Sequence, residues 1–271
     1  MPASPPVALT IAGSDNSAGA GAQADLKTFS ALGVYGLTAI TCVVAEVPGR
    51  VNAIQPVDER IVREQIRLSL GAYPVAAIKT GLLHSKRTIE TVCDTIEEIS
   101  GNVNERPLLV VDPVMVATSG DLLLSGDAVE AYTGRLFKLA MLVTPNLDEV
   151  HSLLGRSVTT VDGMREAGRE LCARFGTAFL LKGGHLRESD TATDLLIFGN
   201  EVREFAAPFV PDVATHGTGC TYSAAITAGL AKGLLLENAV GEAKQFVTRA
   251  IAKHFAWLSG DAMTNALNHF L

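Results

Sequence analysis

The chain is poor in cysteine, with four among 271 residues: Cys42, Cys93, Cys172 and Cys220. No two form a Cys-x-x-Cys pair, which argues against the common zinc and disulfide frameworks and suits free thiols in a reducing compartment. Basic residues are also in short supply. The 22 Lys and Arg face 29 Asp and Glu, a formal net charge of −7. Neither a nucleic acid nor an anionic membrane is therefore expected as a partner, and an anionic substrate has to be held by a local cluster of donors. No apolar run is long enough for a membrane span. The stretch Met1-Pro2-Ala3-Ser4-Pro5-Pro6 lacks the basic and apolar segments of a signal peptide. A soluble, cytoplasmic protein is the expectation. Low-complexity segments, internal repeats and linker-like composition shifts are missing too, which predicts one domain over residues 1–271.

What the chain does have is apolar material, 48% of its residues, enough for a substantial core. Short apolar runs alternate with longer amphipathic ones, as in a parallel sheet with crossover helices. Strands are predicted at Val7–Ala12, Leu37–Ala45, Ala76–Ile78, Leu108–Val111, Ala140–Val143 and Ala178–Leu181. Helices are predicted near Ala20–Leu32, Glu59–Leu70, Lys86–Ile99, Val129–Phe137, Met164–Phe175, Thr221–Lys232 and Glu237–His254. Thr193–Ile197 and Val202–Phe205, joined by Gly199-Asn200, read as a hairpin. The last residues, Ser259–Leu271, carry no pattern.

Polar clusters fall at the ends of these strands, where open parallel sheets bind ligands. The sharpest is Thr215-His216-Gly217-Thr218-Gly219-Cys220, just where a helix begins. Free N–H groups and the positive end of the helix dipole can stabilise an anion that gains charge during reaction. Cys220 sits in the first turn, which is expected to lower its pKa from about 8.5 toward neutrality and make a thiolate available. The other three cysteines read as packing residues. A second cluster runs from Ala12-Gly13-Ser14-Asp15 through Gly19-Ala20-Gly21 to Asp25. Its small residues allow close approach of a ligand that Asp25 could contact; it reads equally as a plain strand-to-helix connection. It is not a Walker loop, since no Gly-Lys-Ser/Thr follows.

Asp112 ends a buried strand, and Asn146-Leu147-Asp148-Glu149 follows the next. Such carboxylates can hold magnesium, while Asn146 and Glu149 equally fit a helix N-cap with its capping box. In Lys182-Gly183-Gly184-His185, a lysine at a strand end can meet a phosphate as a point charge. His185 and His216 read as structural.

Together these stretches resemble the ribokinase-like superfamily, and within it the hydroxymethylpyrimidine/phosphomethylpyrimidine kinases of thiamine biosynthesis. The resemblance also rests on Gln23-Ala24-Asp25-Leu26-Lys27, Lys79-Thr80-Gly81-Leu82-Leu83, Asp112-Pro113-Val114-Met115 and Thr144-Pro145-Asn146, and it spans about residues 7–254. It implies a three-layer α/β/α fold with a central, mostly parallel sheet, commonly as a homodimer. It implies a kinase that uses ATP and Mg2+ to phosphorylate the hydroxymethyl group of 4-amino-5-hydroxymethyl-2-methylpyrimidine, then the monophosphate to the diphosphate. By matching motif, Gly13, Asp25, Glu46 and Leu82 would line the acceptor site. Gly217, Thr218, Gly219 and Cys220 would form the anion hole, with Cys220 as proton acceptor. Lys182, Asn146 and Thr218 would serve the nucleotide, and Asp112 and Glu149 the metal. One departure stands out: the position of Glu46 is usually glutamine in that family. An ionised carboxylate cannot donate to a neutral ring nitrogen, which keeps a vitamin B6 (pyridoxal/pyridoxine) kinase open as the alternative. A non-catalytic sensor on the same fold is a further one.

Overall fold

The computed structural model describes residues 4–99, 106–115, 126–184, 186, 191–211, 213, 216–259 and 262–271. Its centre is a sheet of nine strands: β1 (Val7–Asp15), β2 (Tyr35–Val47), β3 (Arg50–Pro56), β4 (Val75–Thr80), β5 (Leu108–Val111), β6 (Leu142–Val143), β7 (Ala178–Lys182), β8 (Thr191–Phe198) and β9 (Glu201–Pro208). They lie in the order β3-β2-β1-β4-β5-β6-β7-β8-β9. The six strands from β2 to β7 in that order are parallel, and β3, β8 and β9 add antiparallel edges.

The alternation of side chains along each strand builds two cores. Leu9, Ile11, Ile78, Val111, Phe179 and Leu181 face one side. There they meet α2 (Glu59–Ala72), α3 (Lys86–Ile99), α4 (Gly126–Ala131), α6 (Leu147–Leu154) and α7 (Val161–Phe175). Ala8, Ala77, Val110, Leu142 and Leu180 face the other side, covered by α1 (Gly21–Ala31), α8 (Thr218–Ala231) and α9 (Leu236–Ala252). Small residues in both partners, Ala8 and Ala77 on the strands and Ala224, Ala225 and Ala228 on α8, let that helix lie close over β1, β4 and β5. Helices on both faces of the sheet give the three-layer α/β/α arrangement.

The predicted strands and helices recur with boundaries shifted by a few residues; α3 and β5 coincide with the predicted spans. Three differences have physical reasons. The stretch read as one helix over Val129–Phe137 is broken by a π turn at Tyr132–Leu136, followed by α5 (Phe137–Leu139). There the buried Tyr132 hydroxyl donates to the carbonyl of Gly81 at 3.2 Å, beneath the site. The edge strand β3 has no buried residue, so it carries no apolar signal. A small sheet of β10 (Phe255–Ser259) and β11 (Ala262–Ala266) occupies the patternless end of the chain, with Trp257, Leu258 and Met263 exposed.

The topology fixes where a ligand goes. From β1 the chain moves outward through β2 and β3, then returns to β4 on the other side of β1. The carboxyl ends of β1 and β4 therefore flank a switch point, the usual location of a crevice in an open sheet.

Candidate active site

The crevice is a cavity of about 410 Å3. Its walls include Gly13, Glu46 and Leu82 toward the β2–β3 side. Asp112, Asn146, Glu149 and Lys182 lie in the middle, with Gly217, Thr218, Gly219 and Cys220 beside them. Eleven of the twelve residues singled out in the sequence thus meet in one space, from segments as far apart as Gly13 and Cys220. Asp25 is the exception. Among their neighbours in the motifs, His185 and Thr215 lie outside the described residues.

The anion-binding turn is built by Gly217. It caps α8 with a φ of 80°, and a Cβ there would stand 1.7 Å from the carbonyl oxygen of Gly19. Only glycine lets these two loops touch. The contact is reinforced by Asp15, which accepts hydrogen bonds from the Ser17 and Ala20 amides and the Ser17 hydroxyl and pairs with His216 Nε2 at 3.3 Å. Burial works against the Asp15 charge, but these bonds outweigh it and lower its pKa to about 2. The Gly-rich loop and the turn before α8 are therefore latched together by a permanent carboxylate.

The first amides of α8 have no acceptor in a preceding turn, and their residues open into the cavity. The buried hydroxyl of Thr218 has no hydrogen-bond partner among the described residues. A Cβ at Gly219 would sit 3.1 Å from Lys182 Nζ and 3.7 Å from Asp112 Oδ2. The backbone donors and the lysine thus converge on one spot, an arrangement that suits a phosphoryl group.

Beneath that spot lies a set of alternating charges. Lys182 Nζ donates to Asp112 Oδ1 at 3.1 Å, and Asp112 also accepts from Thr144 at 3.3 Å and Ser223 at 3.3 Å. Burial is the largest effect and disfavours both charges, but Lys182 and Lys79 around Asp112, and Asp112 and Glu149 around Lys182, together outweigh it, so Asp112 is lowered and Lys182 raised. Glu149 behaves differently. Burial pushes its pKa up to about 8; Lys182 opposes the rise and Asp112 adds to it. It also closes the capping box read from the sequence. Glu149 N–H donates to Asn146 Oδ1, and Asn146 N–H to Glu149 Oε2, both at 2.8 Å. The capping and cavity-lining roles are held by the same two residues at once.

Two expectations are corrected. Asp25, assigned by resemblance to the heterocycle, does not line the cavity. It is fully buried, accepts from Thr10 at 2.6 Å and from Lys79 at 2.9 and 3.0 Å, and so has partners for both oxygens inside the protein. The reason lies in its position on the inner face of α1, opposite two polar side chains from β1 and β4. Burial works against the Lys79 charge, but Asp25 first, with Cys220 and Asp112, outweighs that cost, so Lys79 keeps its proton. The second correction concerns Cys220. Burial pushes its thiol up to about 11; Lys79 pulls it down, and Asp112 and Asp25 push it further up. Desolvation beside two carboxylates exceeds the lowering expected from the start of a helix, so the resting group is a thiol.

The sequence reading also passed over a pair on the far wall. Asp194 on β8 stands opposite Lys182 in the antiparallel ladder and accepts the Gly183 amide at 3.0 Å. Its other oxygen accepts from Lys244 of α9 at 2.6 Å, both residues being nearly fully buried. Beyond them the cavity turns apolar, lined by Pro208, Phe209, Val210, Val247 and Ile251. No sequence motif marks this end, because its residues are ordinary apolar ones gathered by topology.

Comparisons with known proteins agree with this geometry. The sequence profile of the family described as phosphomethylpyrimidine kinase matches residues 15–265. The hydroxymethylpyrimidine/phosphomethylpyrimidine kinase of Rhizobium meliloti (strain 1021) is 44% identical over 247 residues, covering 91% of this chain and 90% of that one. The ADP complex of Bacillus subtilis pyridoxal kinase superposes with a TM-score of 0.86 at 36% identity, covering 97% of this chain and 98% of that one. The Staphylococcus aureus pyridoxal kinase in complex with AMP-PCP and pyridoxal gives 0.83 at 32% identity, with 98% and 94% covered.

Proposed function

Because the chain belongs to the phosphomethylpyrimidine kinase family, we propose that it transfers the γ-phosphoryl group of ATP to the hydroxymethyl group of an aminopyrimidine, and then to the resulting monophosphate, in thiamine biosynthesis. The observation that carries the reading is the convergence of the α8 start, Lys182, Asp112 and Glu149 between two chemically different ends of one cavity. The apolar end by Phe209 and Val247 suits a nucleotide base. The end by Gly13, Glu46 and Leu82 suits a small heterocycle that presents its alcohol to Gly217–Cys220.

Phosphoryl transfer through a loose transition state needs positioning and charge stabilisation more than a strong base. Lys182 meets the phosphates as a point charge. The amides of Thr218, Gly219 and Cys220 stabilise charge on the group in transit, and the Thr218 hydroxyl supplies one more donor. Magnesium fits the donor set, since two buried carboxylates, Asp112 and Glu149, suit an ion that keeps waters and substrate phosphates as its remaining ligands. When bound, it neutralises charge on the phosphate oxygens. The rise in the pKa of Glu149 also fits, because a carboxyl raised first by burial and further by Asp112 is one that a divalent cation would keep ionised. The exposed apolar side chains of the β10–β11 sheet offer a surface for a homodimer, which sedimentation would reveal as a doubled mass.

The second reading is pyridoxal phosphorylation, favoured by Glu46, whose carboxylate suits a pyridinium nitrogen, and by the fold shared with the two pyridoxal kinases. Turnover of the pyrimidine alcohol, its monophosphate, pyridoxine and pyridoxal with ATP under identical conditions separates the two. The expected order places the pyrimidine substrates first by at least about tenfold in kcat/KM, a difference of about 1.4 kcal/mol. A preference for pyridoxal would overturn the pyrimidine assignment and leave the kinase assignment standing.

A further inference from the structure

Glu46 lines the acceptor end of the cavity with a carboxyl group that has no hydrogen-bond or ion-pair partner among the described residues. Only its backbone is engaged, the amide donating to Asn16 Oδ1 at 2.7 Å. A β-bulge between Ala45 and Glu46 in the ladder with β3 interrupts the register at this residue, and bulges re-aim side chains beside functional sites. A half-buried, unpartnered acid held by its backbone at the wall of a substrate cavity is a group built to meet a ligand.

Three chargeable groups and one thiol surround it. Asp15 at the end of β1 is anionic and disfavours a second negative charge, while His216 before α8 favours one. Arg50 lies across the hairpin on β3 and lines the same cavity. Cys42, further along β2, is a protonated thiol, its pKa pushed up to about 11 chiefly by burial. Burial first, and Asp15 second, raise the pKa of Glu46, with His216 opposing.

The edge of a 4-aminopyrimidine offers one acceptor, the ring nitrogen, beside one donor, the amino group. An ionised carboxylate has acceptors only; a carboxyl group with its proton has one donor and one acceptor side by side. We propose that Glu46 binds the acceptor as a carboxyl–aminopyrimidine pair sharing one proton, so that the acceptor is taken up together with a proton. The proton sits on the carboxyl oxygen with a neutral ring, or on the ring nitrogen with a carboxylate. Either form makes two hydrogen bonds and has the same proton count. A glutamine at this place makes both bonds without a proton, whereas a pyridine ring that lacks the adjacent amino group makes only one.

The inference rests on the aminopyrimidine reading above. The test is titration calorimetry of the full chain with the pyrimidine alcohol, without nucleotide, in buffers of different ionisation enthalpy from about pH 6 to about pH 9, above the ordinary carboxyl range. Wild type should take up close to one proton per acceptor at the alkaline end, with affinity falling about tenfold per pH unit there. Glu46→Gln should bind without uptake and with a nearly flat profile. No proton uptake by wild type, or equal uptake by Glu46→Gln, overturns the shared-proton pair. Both outcomes differ from failure of the underlying reading, in which pyridoxal is phosphorylated while the pyrimidine alcohol neither binds nor reacts; that result would overturn the inference as well.

Discussion

A thiol with a pKa of about 11 is ionised at pH 7 in about one molecule in ten thousand. Cys220 therefore cannot act as a pre-formed base, and the arrival of nucleotide phosphates adds more negative charge beside it. Its contribution has to come late, as the alcohol proton becomes acidic, and belongs at the lower end of general-base effects, about 100-fold. A monophosphate acceptor already presents an anionic oxygen and needs no such help. Cys220→Ala should therefore slow phosphorylation of the alcohol by about 100-fold and of the monophosphate by less than about tenfold. The rate with the alcohol should climb with pH above neutrality in wild type and lose that climb in the variant. Single-turnover rates for the two half-reactions check this, and equal losses would make Cys220 a packing residue. The motif around Cys220 was readable from the sequence because glycine spacing and helix onset are local. Its protonation state was not, because it depends first on burial and then on Lys79, Asp112 and Asp25, which only the fold brings near. The same holds for Asp25, whose ion pair with Lys79 spans 54 positions.

At the scale of elements, apolar periodicity made β5, α3 and the crossover order legible, since buried strands and amphipathic helices announce themselves. The exposed strand β3 and the sheet of β10 and β11 did not, and β6 has only two residues. The link between β8 and α9 was equally hidden. Asp194 and Lys244 are 50 positions apart, and each reads alone as an ordinary charged residue. In the structure they form a strut whose free end holds the Gly183 amide, and through it the turn that carries Lys182. Removing one partner strands the other charge in the interior, which typically costs about 3–5 kcal/mol. Lys244→Met should lower stability by about that amount and raise the KM for ATP more than it lowers kcat, because it disturbs the Lys182 turn rather than the reacting atoms. Lys244→Arg keeps the charge and should recover part of both. Urea unfolding together with steady-state kinetics reads the two effects, and an unchanged midpoint in Lys244→Met would show that the strut carries no load.

At the scale of the whole molecule, the segment after β11 ties three helices together. Residues 267–271 pack against α1, α8 and α9, where Asn268 N–H donates to the Ala250 carbonyl of α9 and Leu267 is buried. His269 lies almost fully buried and hydrogen-bonds the Thr221 hydroxyl at 3.0 Å, one residue beyond Cys220. Burial first, and the charge of Lys27 second, depress the pKa of His269 to about 4. In the unfolded chain it titrates near about 6.5. Between those values the unfolded state binds the extra proton, so the stabilisation is complete above about pH 6.5 and is lost as the pH falls through the folded value. The shift corresponds to about 3 kcal/mol. Acidification from about pH 7 to about pH 4 should thus loosen the tail and with it the first turn of the helix that holds the travelling phosphoryl group. A His269→Asn variant should start less stable at neutral pH but show a shallower loss on acidification. Denaturant midpoints across this range, with hydrogen exchange at the amides of Thr221–Ala225, measure both. If wild type and variant lose stability in parallel, protonation of His269 is not what couples the tail to the site.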